Sequence, residues 1–148
     1  MSNTADPLVG FSFALELDGV AVAMFKTVSG LESSIDVTEL RQTTKEGKTV
    51  VLKIPGQVKF GDITFGRGLT KDTVLYDWYQ QVVDGKIEES RKLGSVVVYD
   101  QMLEETARWN LERCWPSALK TGSLDAGGGD VVIEEMTIVT ENLMRVKK

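Results

Sequence analysis

Apolar and polar residues alternate near the start of the chain. Phe11, Phe13, Leu15 and Leu17 are separated by single residues that are mostly polar or small, a period-2 pattern typical of a half-buried strand. Asp18-Gly19 follows directly, and this pair favours the type I′ turn of a tight hairpin. The pattern therefore predicts a returning strand over residues 20–28, ended by Ser29-Gly30.

A second alternating stretch predicts a long hairpin that projects from the domain. Residues 35–41 alternate, residues 42–48 are polar and contain a glycine, and residues 49–54 are rich in β-branched side chains. Pro55-Gly56 is a turn dipeptide and is expected to end this hairpin. A short strand over residues 63–65 should follow, ended by the glycines at 66 and 68.

Helical spacing occurs once in this β-rich background. Two interleaved i, i+4, i+8 series are formed by Val74, Trp78, Val82 and by Leu75, Tyr79, Val83. Thr70 or Asp72 can cap the start, and Gly85 stands where a left-handed C-terminal cap belongs. This segment is predicted to be an amphipathic helix that packs on the strands.

The second half of the sequence returns to strand patterns. Strands are expected over residues 95–102 and 107–115, the latter stopped by Pro116, and within residues 130–142. The Gly127–Gly129 triplet is interpreted as a turn, because a phosphate-binding loop would be followed by Lys-Ser or Lys-Thr and a helix. The pattern predicts a mainly β fold: one domain over residues 1–148, a β-barrel of two packed antiparallel sheets with one amphipathic helix and a long projecting hairpin.

The composition excludes several catalytic mechanisms. The 148 residues carry 17 Lys+Arg and 22 Asp+Glu, for a formal net charge of -5, and include no histidine and one cysteine. Ser-His-Asp and Cys-His catalysis are thereby excluded, and no CxxC pair exists. No apolar run approaches the ~20 residues of a membrane-spanning helix, and the first residues lack a signal-peptide pattern. We expect a protein made in the bacterial cytoplasm, without membrane span, metal or cofactor.

Two chemical interpretations of the charged residues are weak. Adjacent acids such as Glu88-Glu89, Glu104-Glu105 and Glu134-Glu135 arise by chance in an acidic chain, so glycosidase-type catalysis has little support. The lysines around the hairpin are interleaved with Glu39 and Glu46 and lack aromatic stacking partners, which favours an interface or solvated hairpin over a nucleic-acid patch. A monomeric β-barrel that binds a small apolar ligand remains an alternative function.

Read whole, the sequence resembles the tail tube proteins of contractile-tailed bacteriophages and the inner tube proteins of extracellular contractile injection systems, relatives of the type VI secretion tube protein. The blocks that carry the resemblance, in order, are DPLVGFSF (6–13), VSGL (28–31), KIPG (53–56), ITFGRG (63–68), LYDWY (75–79), WNLERCWP (109–116), IEEMTI (133–138) and RVKK (145–148).

The resemblance implies a structural subunit and not an enzyme. It implies hexameric rings that stack into a hollow tube inside a contractile sheath, with baseplate and terminator proteins as further partners. It also implies a lumen that conducts DNA or protein payload without stable nucleic-acid binding. The location would be a virion tail or an injection particle that can be released extracellularly.

The resemblance also indicates which positions join subunits and rings. These are the N-terminal approach, the hairpin and the C-terminal tail, represented by Leu8, Val9, Gly10, Phe11, Arg41, Lys45, Glu46, Lys48, Lys53, Arg145 and Lys147.

Overall fold

The computed structural model describes residues 11–129 and 131–147, and this part of the chain holds ten strands and two short helices. In chain order the elements are β1 (Ser12–Leu17), β2 (Val20–Phe25), β3 (Thr27–Ser29), β4 (Ser33–Thr43), β5 (Thr49–Phe60), β6 (Ile63–Gly68), α1 (Val74–Val83), α2 (Ile87–Ser90), β7 (Lys92–Tyr99), β8 (Glu105–Thr121), β9 (Ile133–Val139) and β10 (Asn142–Arg145).

The first hairpin forms as the sequence predicts. Asp18 and Gly19 have φ angles of 53° and 84°, the two positive values that a type I′ turn requires. The returning strand is shorter than predicted, because β2 ends at Phe25. After Lys26 the chain crosses to β6 and pairs with it as β3, so the predicted single strand over residues 20–28 belongs to two different sheets.

The strands form two antiparallel sheets that share β8. Pairing runs in the order β2-β1-β7-β8-β9-β6-β3, and β10 adds to β8. The first part of β8 pairs with β7, and its last part, from Trp115 onward, pairs with β9. The two end strands of this path, β2 and β3, follow each other in the chain, so the sheet curls round on itself. The predicted pair of packed antiparallel sheets is confirmed, although within the described residues β2 pairs with β1 alone and the ladder does not close.

The inner faces of the two sheets are filled by side chains. The fully buried members of this core are Leu15, Ile63, Phe65, Val96, Leu111, Cys114, Met136 and Ile138. The rings of Phe25 and Phe65 lie 4.8 Å apart at one end of it. These residues come from strands of both sheets, so burial of their side chains joins the sheets into one body.

The predicted helix is present as α1, with a narrower apolar face than predicted. Leu75 and Trp78 are buried, and the indole N–H of Trp78 donates to the carbonyl of Ser90 at 2.7 Å. Val74 and Val83, which the periodicity placed on the buried side, are exposed. Asp72 accepts a hydrogen bond from the Val74 N–H at 3.0 Å, and Gly85 has a φ of 83° just past the helix end. No helix in residues 11–129 or 131–147 has the length and apolar character needed to cross a membrane.

The strand predicted over residues 95–102 lies three residues earlier, as β7, and three strand ends predicted at a glycine or proline are also wrong. β5 continues through Pro55-Gly56, since a proline is tolerated on an edge strand when its missing N–H faces away from the partner. β8 continues through Pro116, just after its pairing with β7 ends at Cys114. β6 continues to Gly68. Gly66 lies inside this strand, where it allows close packing, since a Cβ there would lie 2.4 Å from the Thr27 hydroxyl.

Candidate assembly surface

The long hairpin is an extension of the body's own strands. Ser29 pairs with Thr64 in β3 and β6, and Ser33 pairs with Phe60 in β4 and β5, so one antiparallel ribbon runs through both strand pairs. It is interrupted at Gly30, whose φ is 86° and where an added Cβ would lie 2.0 Å from the Asp62 carbonyl oxygen. Only glycine fits this bend, and beyond it β4 and β5 project from the body.

One face of the projecting hairpin is mostly apolar and exposed. Leu40 lies opposite Leu52, Gln42 opposite Val50, and Thr38 opposite Ile54. Because side chains alternate along a strand, these pairs share a face. We call its apolar members the hairpin apolar face: Leu40, Val50, Leu52 and Ile54, each between 39% and 42% exposed.

The opposite face of the hairpin is mixed, with charged side chains beside Val37 and Val51, which are 64% and 44% exposed. Glu39 lies opposite Lys53, and Arg41 lies opposite Val51. Lys45 and Glu46 are exposed in the turn, where the Lys48 N–H donates to the Thr44 hydroxyl at 3.2 Å. The five hairpin residues predicted from the resemblance therefore lie together on one element.

The other predicted interface residues are separate from the hairpin. Leu8, Val9 and Gly10 lie outside the described residues. The ring of Phe11 is 6.3 Å from that of Phe13, so Phe11 packs on its own subunit. The guanidinium of Arg145, on β10, lies 5.4 Å from the centre of the Trp109 ring, and Lys147 is exposed just beyond.

Sequence reasoning missed the hairpin apolar face. It singled out the charged residues of the hairpin and passed over the apolar ones between them. The signal was present, since Leu40 alternates with charged neighbours in β4 and Val50, Leu52 and Ile54 alternate in β5. Assigning these residues to one face requires the register between the two strands, which the sequence does not state.

Arg108 and Cys114 serve the fold. Arg108 forms hydrogen-bonded ion pairs with Glu16 at 2.9 Å and with Glu105 at 2.6 Å, and these bonds raise the pKa of the Arg108 guanidinium. Cys114 is buried, and burial raises the pKa of its thiol to about 12, the opposite of a reactive cysteine. Among the described residues no three Cys, Asp or Glu side chains are grouped as metal ligands.

The profile of the family described as T4-like virus tail tube protein gp19 matches residues 9–144. The chain belongs to this family. Its members are structural tube proteins, so the expectation that the chain is not an enzyme is confirmed. No curated protein sequence matches the chain significantly.

Solved structures share the fold over nearly the whole chain. A chain of the sheath-tube complex of the extracellular contractile injection system PVC, in the extended state, superposes with a TM-score of 0.79 at 24% identity, covering 98% of this chain and 95% of that one. A chain of the anti-feeding prophage cap gives a TM-score of 0.75 at 22% identity, covering 100% of each. Hcp1 from Flavobacterium johnsoniae gives 0.52 at 19% identity, covering 90% of this chain and 93% of that one.

Proposed function

We propose that the chain is the subunit of an inner tube, that six copies close into a ring, and that rings stack into a hollow cylinder within a contractile sheath. Membership of the tail tube family supports the proposal that the chain is a tube subunit. The observation that supports the assembly is the projecting hairpin, which within the described residues has two unpaired strand edges and an exposed apolar face.

An isolated hairpin of this kind needs a partner. A two-stranded ribbon is marginally stable in water, and an exposed apolar face marks an interaction surface. The β4–β5 strands pack chiefly on each other and hardly on the other described strands and helices. A neighbouring subunit that covers the hairpin apolar face would supply the missing burial, in a head-to-tail contact that closes into a ring or continues as a filament.

Further partners are taken from the similar structures. Those structures are a sheath-tube complex, a tube-terminating cap and a baseplate. We propose that this chain likewise meets a sheath protein, a baseplate and a terminator, in a particle assembled after synthesis in the bacterial cytoplasm. Its lumen would conduct DNA or protein payload, and the net charge of -5 per chain would limit sticking of nucleic acid to the wall.

The alternative of a barrel that binds a small apolar ligand has no supporting observation. Such a protein needs space between its sheets. Here that space is filled by buried side chains, among them Leu15, Phe65 and Ile138, each fully buried.

Electron microscopy of the purified protein tests the proposal. We expect rings or tubes in negative stain and a fast-sedimenting species. Leu40→Lys with Leu52→Lys places two charges on the hairpin apolar face. This variant should form neither rings or tubes nor the fast-sedimenting species. Thr43→Lys with Thr49→Lys adds the same charges to an opposed pair on the other face of the hairpin and should retain assembly. A wild-type protein that stays monomeric at all concentrations contradicts the proposal.

A further inference from the structure

The turn between β7 and β8 exposes two apolar side chains at its end. Met102 and Leu103 are 79% and 75% exposed, more than any other large apolar residue that the structure describes. Exposed apolar side chains lose the burial that stabilises a core, and adjacent ones provide area for contact with another surface. We call residues 100–104 the β7–β8 tip.

The β7–β8 tip holds these side chains in a fixed and strained backbone. The Asp100 carboxylate accepts hydrogen bonds from the N–H groups of Met102 and Glu104 at 2.9 and 3.0 Å, and the Leu103 N–H donates to the Asp100 carbonyl at 3.0 Å. Leu103 has a φ of 61°, in the left-handed region that glycine adopts without cost. A leucine here is unfavourable in conformation and in exposure. Such strain is concentrated where a residue has a function, and contact with a partner would be that function.

A groove of about 680 Å³ lies between β2 and the end of β6. Within the described residues β2 pairs with β1 alone, and β1 separates it from β7, so the free edge of β2 faces away from the β7–β8 tip. The apolar lining includes Met24 and Leu69, which are 52% and 48% exposed. The described lining contains no residue of the β7–β8 tip, so a tip that occupies the groove belongs to another copy.

Arg67 is buried in the lining of this groove with incomplete hydrogen bonding. Its side chain is 8% exposed, and its Nε lies 3.6 Å from the Glu134 carboxylate, an ion-pair distance too long for a hydrogen bond. The Nε and one terminal nitrogen are buried without an acceptor among the described residues. Buried donors without acceptors are costly, so acceptors from an occupant of the groove would stabilise the site.

The β7–β8 tip carries acceptors of the kind that Arg67 needs. Glu134 already offsets the positive charge of Arg67, so a second buried carboxylate would leave a net negative charge out of water. A peptide carbonyl accepts the same N–H groups without adding charge. Among the described residues, the carbonyls of Gln101, Met102 and Leu103 accept no backbone hydrogen bond, and they lie beside the two apolar side chains.

The charges around the two surfaces are also complementary. Asp100 and Glu104 flank the apolar pair of the β7–β8 tip. The groove has the exposed Lys26 in its lining, together with Arg67. Asp72, the one carboxylate in the described lining, accepts a hydrogen bond from the N–H of the first residue of α1. An acidic tip therefore meets a groove with more basic than acidic side chains, which favours this pairing of surfaces.

We propose that the groove of each subunit receives the β7–β8 tip of a second copy, with Met102 and Leu103 against Met24 and Leu69 and with turn carbonyls on Arg67. This inference rests on the proposed tube function and names a contact that does not involve the hairpin. The tip and the groove are different surfaces of one chain, so the contact is head-to-tail and repeats from copy to copy.

The first experiment separates assembly from folding through opposite effects. Leu103→Gly removes the apolar side chain and suits the left-handed backbone, so the dissociated subunit should melt at the same or a higher temperature. Ring and tube formation at a fixed protein concentration should fall by about tenfold or more in sedimentation velocity, as expected when one buried leucine is lost from a contact. A lower melting temperature of the dissociated variant contradicts the strain assigned to Leu103.

Leu124→Gly is the matched control. It removes a leucine that is 72% exposed in the loop before β9, outside the β7–β8 tip and the groove lining, and should assemble as the wild type does. Equal ring yields from Leu103→Gly and the wild type overturn the inference and leave the tube proposal standing. Absence of rings in the wild type overturns both.

Cross-linking identifies what occupies the groove. Met24→Cys and Met102→Cys are placed in one chain and treated after assembly with a short bismaleimide; Cys114 is buried and serves as the common background. We expect a ladder of covalent multimers. Each single-cysteine variant should give no ladder, because the contact joins two different residues. Met24→Cys with Leu124→Cys should give little multimer.

The remaining outcomes contradict the inference. A ladder from Met24→Cys with Leu52→Cys, and none with Met102→Cys, assigns the groove to the hairpin. A cross-link confined to single chains shows that the β7–β8 tip fills the groove of its own subunit.

Discussion

Gly30 and Gly47 adopt nearly the same backbone conformation for different reasons. Their φ angles are 86° and 82°, in the left-handed region that favours glycine. A Cβ at Gly47, in the hairpin turn, would meet nothing within 4 Å, whereas a Cβ at Gly30 would lie 2.0 Å from a carbonyl oxygen. Gly47 is therefore required only by its backbone conformation. Gly30 is required by its conformation and by the lack of space for a side chain.

Alanine at the two positions should separate these effects. Gly47→Ala should cost about 1–2 kcal/mol, the backbone penalty for an L-residue in this region. Gly30→Ala adds the overlap with Asp62, about 1–3 kcal/mol more. Chemical unfolding of both variants measures the difference, and equal costs would contradict the role given to close packing at the bend.

Cys114 predicts a pH dependence. Its pKa is raised from the ordinary 9.0 to about 12 by burial, with a smaller contribution from the charge of Asp18. The unfolded chain loses this proton above about pH 9 while the folded chain keeps it. The free energy of unfolding should therefore fall as pH rises from about 9 to about 12, with a slope of up to ~1.4 kcal/mol per pH unit from this group. Cys114→Ala should flatten the slope in urea titrations between pH 8 and 10.5; an unchanged slope would show that other groups cause it.

At the scale of elements, periodicity correctly predicts structure that depends on one segment of the sequence. It fails where the structure depends on pairing with another strand. The type I′ hairpin at Asp18-Gly19, the α1 helix and the projecting hairpin need only local sequence. Gly66 and Pro116 were misread as strand ends, because whether a glycine or proline ends a strand depends on which side of it is paired. The contact between Arg67 and Glu134 was not predictable, since it exists only through the register of β6 against β9.

We expect the hairpin to be separable from the body. Replacing residues 41–51 by Asn-Gly joins Leu40 to Leu52, which already face each other, through a favoured two-residue turn. The melting temperature of the dissociated subunit should change little, because β4 and β5 pack mainly on each other. Ring and tube formation should be lost in sedimentation and electron microscopy.

The matched control keeps the hairpin at full length. Lys45→Ala with Glu46→Ala changes only exposed side chains of the turn and should assemble with a modest loss. Normal tubes from the shortened chain would show that the hairpin has no part in assembly.

At the scale of the whole molecule, charge works against the assembly that we propose. Each chain carries a formal -5, so six copies bring -30 into one ring. Salt screens such repulsion, with a Debye length of about 10 Å at 0.1 M. The yield of rings should therefore rise as sodium chloride increases from 10 mM to 0.5 M, measured by sedimentation velocity, with the monomeric Leu40→Lys/Leu52→Lys variant as control. A yield that falls with salt would indicate that attractive ion pairs dominate the contacts.

The ribbon that bends at Gly30 also sets a length scale. Its projecting arms have 11 and 12 residues, which at about 3.3 Å each extend roughly 36–40 Å. A globular body of this size has a radius of gyration of about 15 Å, so the arm is about as long as the body is wide. An arm of this length can lie along the full width of one neighbouring copy in the proposed cylinder. Removal of a single copy would then uncover a contact as long as a subunit is wide.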